Sequence, residues 1–242
     1  RKVVKILSSI RQQALIEGIF LERRNRFVGL VEIEGVQQAV HITNTGRMRE
    51  LLLPGARVLL KPAGNPLRKT QFSLQMVFHN GIWVALESTA ANVLVYEALR
   101  HRELSMFTGY HNVRREVGYG GSRFDAALSG EGPTCYIEVK CCTLVVNGEA
   151  RFPDAPTERG RKHVEELARA VRAGQGGAVI FVAQRPDAQR FRPNDATDPR
   201  FGAALRLAHG QGVKVLAFSC GVTPQELSLG REIPVDLSRE MV

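Results

Sequence analysis

The chain has 242 residues, of which 44% are hydrophobic and 24% are charged, an ordinary composition that fits one large or two small domains. No apolar run approaches the roughly 20 residues of a membrane-spanning helix, and the basic N-terminus lacks the apolar stretch of a signal peptide. The four cysteines form no C-x-x-C pair, so we expect reduced thiols, a cytoplasmic location and no membrane partner. Basic residues number 33 against 24 acidic ones, and the net charge of +9 suits a polyanionic partner.

The positive charge is concentrated in the first third of the chain. Residues 1–85 hold 13 Lys and Arg against 5 Asp and Glu, whereas residues 86–242 hold 20 against 19. Short segments rich in Val, Ile and Phe alternate there with turn signals such as Pro54-Gly55 and Asn80-Gly81. This pattern predicts a small OB-like β-barrel over residues 1–86, although an SH3-like barrel would give a similar pattern.

Loops of the predicted barrel carry the candidate nucleic-acid contacts. The turn after the segment HIT combines amide, hydroxyl and guanidinium groups, which suit phosphate or base contacts but also suit a loop held by its own hydrogen bonds. We expect the barrel to bind nucleic acid, DNA foremost, and the oligomeric state stays open, with a homodimer as one alternative. The predicted contacts in three loops are Asn44, Thr45 and Arg47, then Arg68 and Lys69, then Arg23, Arg24 and Arg26.

From residue 87 onward the pattern changes to that of an α/β domain. Ser88 is a candidate N-cap of a first helix, three strand-like runs follow, and two further helices alternate with two apolar runs. The runs AVIFVAQ and VKVLAFS do not alternate, as expected of strands covered on both faces. This order predicts an α/β sandwich with a mixed central sheet over residues 87–242, which makes the whole chain α+β.

Asp125, Glu138 and Lys140 form the candidate catalytic site. Glu138 and Lys140 are two apart in the strand-like run CYIEVKC, so both side chains point to one face, and a Gly-Pro turn lets the strand of Asp125 lie beside them. Two carboxylates suit Mg²⁺ or Mn²⁺ in phosphodiester hydrolysis, and a lysine can stabilise the transition state. The Val139 carbonyl is the expected third ligand, and Glu97 on the preceding helix is a further candidate. An exposed Glu138–Lys140 ion pair is the simpler alternative.

The segment FPDAPTERGRKHVEEL is the second unusual stretch. Its polar residues gather at a predicted helix start, where backbone N–H groups and the helix dipole suit phosphate. We predict that Thr157, Arg159 and His163 support the site. The alternative is ordinary capping by Thr157 and a solvated charged helix face.

Four segments in this order, HITNTGRM, SRFD, YIEVK and FPDAPTERGRKHVEEL, resemble the bacterial and archaeal sugar fermentation stimulation protein A family over about residues 13–235. The resemblance implies an N-terminal OB-like domain and a C-terminal domain similar to PD-(D/E)XK nucleases. It matches Glu97 to the helix glutamate, Asp125 to the motif aspartate, and Glu138 with Lys140 to the E-x-K pair, while Phe124 stands where the motif has proline. The family is viewed as DNA-binding and is tied to the regulation of maltose metabolism. A metal-dependent nuclease is therefore expected, and a non-enzymatic DNA-binding regulator of sugar genes is the alternative.

Overall fold

The computed structural model describes residues 8–11, 14–65 and 67–239. Arg1, Lys2 and Lys5, which contribute to the basic N-terminal third, lie outside the described residues. Within those ranges, no helix combines the length and hydropathy that a membrane crossing requires.

A closed five-stranded barrel forms most of the first third, as the sequence predicts. Antiparallel pairs join β2 to β3, β3 to β4, β2 to β5 and β5 to β6, and β4 closes the ring on β6 in parallel. Side chains such as Phe20, Val31 and Leu74 are fully buried inside it. A further strand, β7, extends the sheet beyond β6. The strands are β2 (Ile16–Arg23), β3 (Val28–Ile33), β4 (Val36–Ile42), β5 (Arg57–Pro62), β6 (Phe72–His79) and β7 (Ile82–Ala85).

The first described strand does not belong to the barrel, which corrects the predicted 1–86 domain at its N-terminal end. β1 (Ser9–Arg11) pairs antiparallel with β16 (Glu226–Glu232) at the edge of the C-terminal sheet. Ile10 packs against the core of that domain. The pairing satisfies N–H and C=O groups of β16 that would otherwise form an open edge. A three-residue strand carries too short a pattern for the sequence to assign it to a sheet.

The C-terminal domain is built on a seven-stranded mixed sheet, as predicted. Its strand order is β1–β16–β15–β13–β10–β9–β8, in which β10, β13 and β15 run parallel and the remaining pairs are antiparallel. A small sheet of three strands lies beside it. The main-sheet strands are β8 (Tyr110–Tyr119), β9 (Ser122–Gly130), β10 (Cys135–Cys142), β13 (Gly176–Ala183) and β15 (Lys214–Val222), and the small sheet holds β11 (Val145–Val146), β12 (Glu149–Phe152) and β14 (Arg190–Pro193).

Helices cover both faces of the main sheet. α1 (Ser88–Arg100) packs on one face with residues such as Ile137 and Val139, and α2 (Glu158–Arg172) with α3 (Pro199–Gly210) packs on the other with Phe181. Every residue of β13 after Gly176 is buried, which explains why its sequence does not alternate. The two faces of β10 therefore point to different helices.

The barrel and the C-terminal domain share a buried core. Leu59 and Met76 of the barrel lie in one cluster with Leu94 of α1 and Ile137 of β10. The side chain of Gln184 donates to the Ala85 carbonyl at 3.0 Å. These contacts place the loops of the barrel next to one end of the C-terminal sheet.

The two predicted helix caps differ in outcome. Thr157 caps α2, since its hydroxyl oxygen accepts a hydrogen bond from the Gly160 amide at 3.0 Å. Ser88 does not cap α1. It is the first helical residue, Glu87 occupies the N-cap position, and the Ser88 hydroxyl donates to the Thr43 carbonyl at 3.2 Å. Ser88 thus ties α1 to the barrel.

Candidate active site

Asp125 and Glu138 lie on the adjacent antiparallel strands β9 and β10. The pairing register sets Ala126 opposite Ile137, so the two acidic residues are neighbours at the end of this ladder. Glu138 and Lys140 share the α2 face of β10, because alternate residues of a strand point to the same side. The structure therefore places Asp125 and Glu138 on neighbouring strands, with Lys140 on the same face of β10 as Glu138.

Asp125 departs from the regular alternation of β9. Ala126 is packed in the core on the α1 side, whereas Phe124, two residues earlier, is packed in the core on the α2 side. The carboxylate between them accepts hydrogen bonds at both oxygens. Asn92 Nδ2 of α1 donates to Oδ1 at 2.5 Å, and the Val139 amide donates to Oδ2 at 2.7 Å. Both oxygens of Asp125 are therefore held in place.

Glu138 is buried and only half satisfied. Its Oε1 atom accepts from Lys140 Nζ at 2.5 Å and lies 2.6 Å from His163 Nδ1, which must donate because an ionised carboxylate only accepts. Its Oε2 atom is buried and has no hydrogen-bond partner within the described part of the chain. Lys140 is itself largely buried, with 15% of its side chain exposed. His163, which the sequence predicted as a supporting residue, thus contacts Glu138 directly.

The two carboxylates have opposite pKa shifts. Burial, followed by the charge of Glu138, raises the pKa of Asp125 to about 6. Burial acts on Glu138 in the same direction, but the hydrogen bond from His163 and the Lys140 ammonium outweigh it and lower the pKa of Glu138. The charged form is thus stabilised at one carboxylate and disfavoured at the other.

A cleft of about 480 Å³ between the two domains gives access to this cluster. Asn92, Val139 and Lys140 line it, and each of them contacts one of the two carboxylates. These three residues therefore stand between a group bound in the cleft and the carboxylates of Asp125 and Glu138. The other basic residues of the lining are Arg26 from the barrel and Arg151 and Arg159 from the C-terminal domain.

The predicted contact turn after β4 forms one wall of the cleft. Asn44 and Thr45 line it, but Asn44 is buried and its Oδ1 accepts from the Gly46 amide at 2.8 Å. Asp154 Oδ2 accepts from the Met48 amide at 2.6 Å and so fixes the turn from the other domain. A side chain at Gly46 would press on both acceptors, with a Cβ 3.1 Å from Asn44 Oδ1 and 3.2 Å from Asp154 Oδ2. The sequence did not single out this role of Asp154.

Arg23 is a structural residue, which corrects its prediction as a nucleic-acid contact. Its guanidinium donates to the carbonyls of Gly46 at 2.7 Å and Arg47 at 2.6 Å, and also to those of Asn25, Arg26 and Asn44. A guanidinium whose donors are all directed at carbonyls has none left for phosphate. Arg24 is exposed and paired with Glu22 at 3.2 Å, outside the cleft lining.

Other predicted residues are distributed around the two domains. Thr45, Arg47, Arg68, Lys69 and Arg159 are exposed. Arg159 lines the cleft, whereas Arg68 lines a second groove on the barrel.

Glu97 is not brought into the carboxylate cluster. It pairs with Arg100 one turn further along α1, at 2.7 Å. It lies five positions after Asn92, so the two side chains leave the helix in directions about 140° apart. Asn92 occupies the position on α1 that the sequence assigned to Glu97. An asparagine within a helix gives no charge or spacing signal by which it could have been found.

The fold and the site define a protein in which an OB barrel is joined to a mixed α/β domain with a buried carboxylate–lysine cluster. Family models match both parts: the SfsA N-terminal OB domain over residues 21–86 and the Sugar fermentation stimulation protein RE domain over residues 89–226. The chain belongs to the sugar fermentation stimulation protein family, which confirms the resemblance drawn from the four segments.

Relatives match over nearly their whole length. The Sugar fermentation stimulation protein homolog of Desulforamulus reducens is 47% identical over 92% of this chain and 93% of its own. That of Acetivibrio thermocellus is 46% identical over 91% and 96%. A solved structure, described as Pyrococcus furiosus SfsA in complex with Ca²⁺, has a TM-score of 0.87 at 28% identity and covers 94% of this chain and 98% of that one.

Proposed function

We propose that the chain is a divalent-metal-dependent nuclease that hydrolyses phosphodiester bonds of DNA. The observation that carries this proposal is the buried Oε2 atom of Glu138, which has no hydrogen-bond partner among the described residues and lies beside a second, partly buried carboxylate, Asp125. An unsatisfied buried carboxylate oxygen costs stability, and like charges side by side add to that cost. A divalent cation between the two groups would relieve both costs.

The residues present fit Mg²⁺ or Mn²⁺ with few protein ligands. Across the described ranges, no group of three or more His, Cys, Asp and Glu side chains is placed to hold a metal. Asp125 and Glu138 would therefore supply the two carboxylates, with the Val139 carbonyl as proposed third ligand and water or phosphate oxygens completing the shell. The Ca²⁺ in the P. furiosus structure supports this proposal, because Ca²⁺ also takes carboxylate oxygens.

The protein side chains divide into ligands, positioning groups and a cation for the transition state. A bound Mg²⁺ or Mn²⁺ would stabilise charge on the phosphate and lower the pKa of a water. Asn92 and the Val139 amide hold the carboxylate of Asp125, and His163 holds that of Glu138. The Lys140 ammonium lies in the cleft lining, where it can donate to a phosphate oxygen as negative charge develops.

The test is cleavage of single-stranded, duplex and branched DNA with Mg²⁺, with Mn²⁺ and with EDTA. We expect cleavage by the wild type that requires the metal, and loss of it in Asp125→Asn. Asp236→Asn is the matched control, because Asp236 is a partly exposed aspartate paired with Arg192 outside the cleft. Wild-type protein that binds DNA but cleaves no substrate with either metal would contradict the proposal and leave the non-enzymatic regulator.

A further inference from the structure

A second groove, the barrel groove, lies on the N-terminal domain and has a volume of about 470 Å³. Strands β4, β5 and β6 and the loop between β5 and β6 form it together with the start of α1. Its lining combines hydrogen-bonding and positively charged groups, with Glu87 as the acidic member. The lining includes His41, Thr43, Lys61, Arg68, Gln75 and Thr89.

The barrel groove and the interdomain cleft meet. Thr89 lines both of them, and the adjacent residues Thr43 and Asn44 line one each. The path from Lys61 and Arg68 therefore leads past Thr89 to Lys140. The two cavities thus adjoin at Thr89, at the boundary between the domains.

The loops along this path are those by which OB-folds bind oligonucleotides. In such barrels the loop between the first and second strands and the loop between the fourth and fifth strands contact the ligand. Here the first of these loops supplies Arg26 to the cleft, and the second supplies Arg68 to the barrel groove. Phe27, next to Arg26, is 52% exposed, and His41 lines the groove, so both offer rings for base stacking.

The depth of the two carboxylates favours one strand over a duplex. Asp125 and Glu138 are absent from the cleft lining and lie behind Asn92, Val139 and Lys140, so a phosphate that reaches them must enter a recess. A single strand can bend into such a recess without a second strand to unpair.

We propose that the barrel groove binds single-stranded nucleic acid and leads it into the interdomain cleft. Lys61 and Arg68 contact the backbone, His41 stacks on a base, and the strand passes Thr89 toward Lys140. The role of the bound strand as a substrate rests on the proposed nuclease function. Binding itself is measured without metal, so its outcome is independent of cleavage.

The experiment measures binding of labelled dT20, U20 and a 20-base-pair duplex to the full chain in EDTA by fluorescence anisotropy over a range of salt concentrations. We expect dT20 or U20 to bind more tightly than the duplex. The variant Lys61→Ala/Arg68→Ala should raise the Kd for the single strand on the order of tenfold and reduce the salt slope by roughly 1.4, since each phosphate contact on a single strand contributes about 0.7. Lys61→Arg/Arg68→Lys should keep the wild-type slope.

The matched control is Arg200→Ala/Arg231→Ala, which removes the same charge from two exposed residues outside both cavities. It should keep the Kd within about twofold. An equal loss of affinity in both double variants would mean that binding depends on total charge and not on the groove, and it would overturn the proposal. Tighter binding of the duplex than of either single strand would do the same. Single-strand binding through the groove without any cleavage would support this proposal while the nuclease proposal fails.

Discussion

Asn92 Nδ2 lies 2.5 Å from Asp125 Oδ1, so the first helix of the C-terminal domain orients the aspartate where β9 departs from regular alternation. The Val139 amide holds the other carboxylate oxygen. Groups that orient a metal ligand commonly change metal affinity or activity about 10–100-fold when they are removed. Asn92 is therefore a positioning residue for the proposed metal site.

The first prediction is that Asn92→Ala weakens Mn²⁺ binding and DNA cleavage about 10–100-fold, because the Asp125 carboxylate loses the hydrogen bond that holds its Oδ1 atom. Calorimetric titration with Mn²⁺ measures the first effect without any substrate. Asn112→Ala on β8 is the control, since Asn112 is an exposed asparagine on an outer strand. An Asn92→Ala protein that binds Mn²⁺ as tightly as wild type would show that Asp125 does not need this partner.

The second prediction concerns the stability of the metal-free protein as the pH changes. The pKa of Asp125 rises from 3.8 to about 6 on folding, so the folded state holds the extra proton between these values. Stability therefore falls as the pH rises from about 4 to about 6, by at most ~3 kcal/mol. Asp125→Asn cannot titrate, so urea unfolding in EDTA should show the wild type losing stability relative to this variant over that range. A constant difference from pH 4 to pH 7 would contradict the shift.

The third prediction is that the stability contributed by Glu138 depends on pH in the opposite direction from that contributed by Asp125. The pKa of Glu138 is lowered on folding, so its charge contributes stability that is present above its unfolded pKa and lost as the pH falls through the folded value. At pH 7 the substitution leaves Lys140 and His163 without their shared acceptor charge. We expect Glu138→Gln to lower the free energy of unfolding by about 3 kcal/mol or more, the usual cost of breaking a buried pair. A rise in stability would mean that the pair is not formed.

The strand period explains why the sequence could assign Glu138 and Lys140 to one face. A spacing of two fixes the face of each side chain in a strand, and the short turn before β10 fixes its antiparallel neighbour. The same argument fails at Asp125, because its conformation depends on packing at Ala126 and Phe124 on different faces. The sequence could predict that Asp125 lies near Glu138 but not that Asn92 holds it.

Tertiary contacts also account for the two corrections outside the site. The pairing of β1 with β16 joins residues more than 200 positions apart, and no local pattern indicates it. Arg23 looks like any other basic loop residue until the carbonyls of Gly46 and Arg47 are placed around it. Charge counts locate the basic region of the chain, whereas the direction of each side chain is set by the fold.

The fourth prediction separates Arg23 from Arg26. Arg23→Ala removes hydrogen bonds to the carbonyls of Gly46 and Arg47, so we expect a loss of about 1–3 kcal/mol in the free energy of unfolding. Arg26→Ala removes an exposed guanidinium of the cleft lining, so it should leave stability within about 0.5 kcal/mol and weaken DNA binding. Urea unfolding and fluorescence anisotropy on both variants check the pair of outcomes. If Arg23→Ala instead kept the wild-type free energy of unfolding and bound DNA more weakly, Arg23 would again be a candidate phosphate contact.

The last prediction separates binding from cleavage at Lys140. Its ammonium is one of several cations along the cleft, so Lys140→Ala should change the Kd for DNA by only a few-fold. The contact with Glu138 places this ammonium beside the proposed metal site. Its loss should lower the cleavage rate by about 100-fold or more, because negative charge that develops in the transition state is no longer stabilised. Arg159→Ala is the control, since it removes an exposed cation of the same cleft at the start of α2 and should weaken binding without a selective loss of rate. Single-turnover cleavage at saturating protein isolates the chemical step from binding. Equal rates for Lys140→Ala and wild type under these conditions would remove Lys140 from the proposed mechanism.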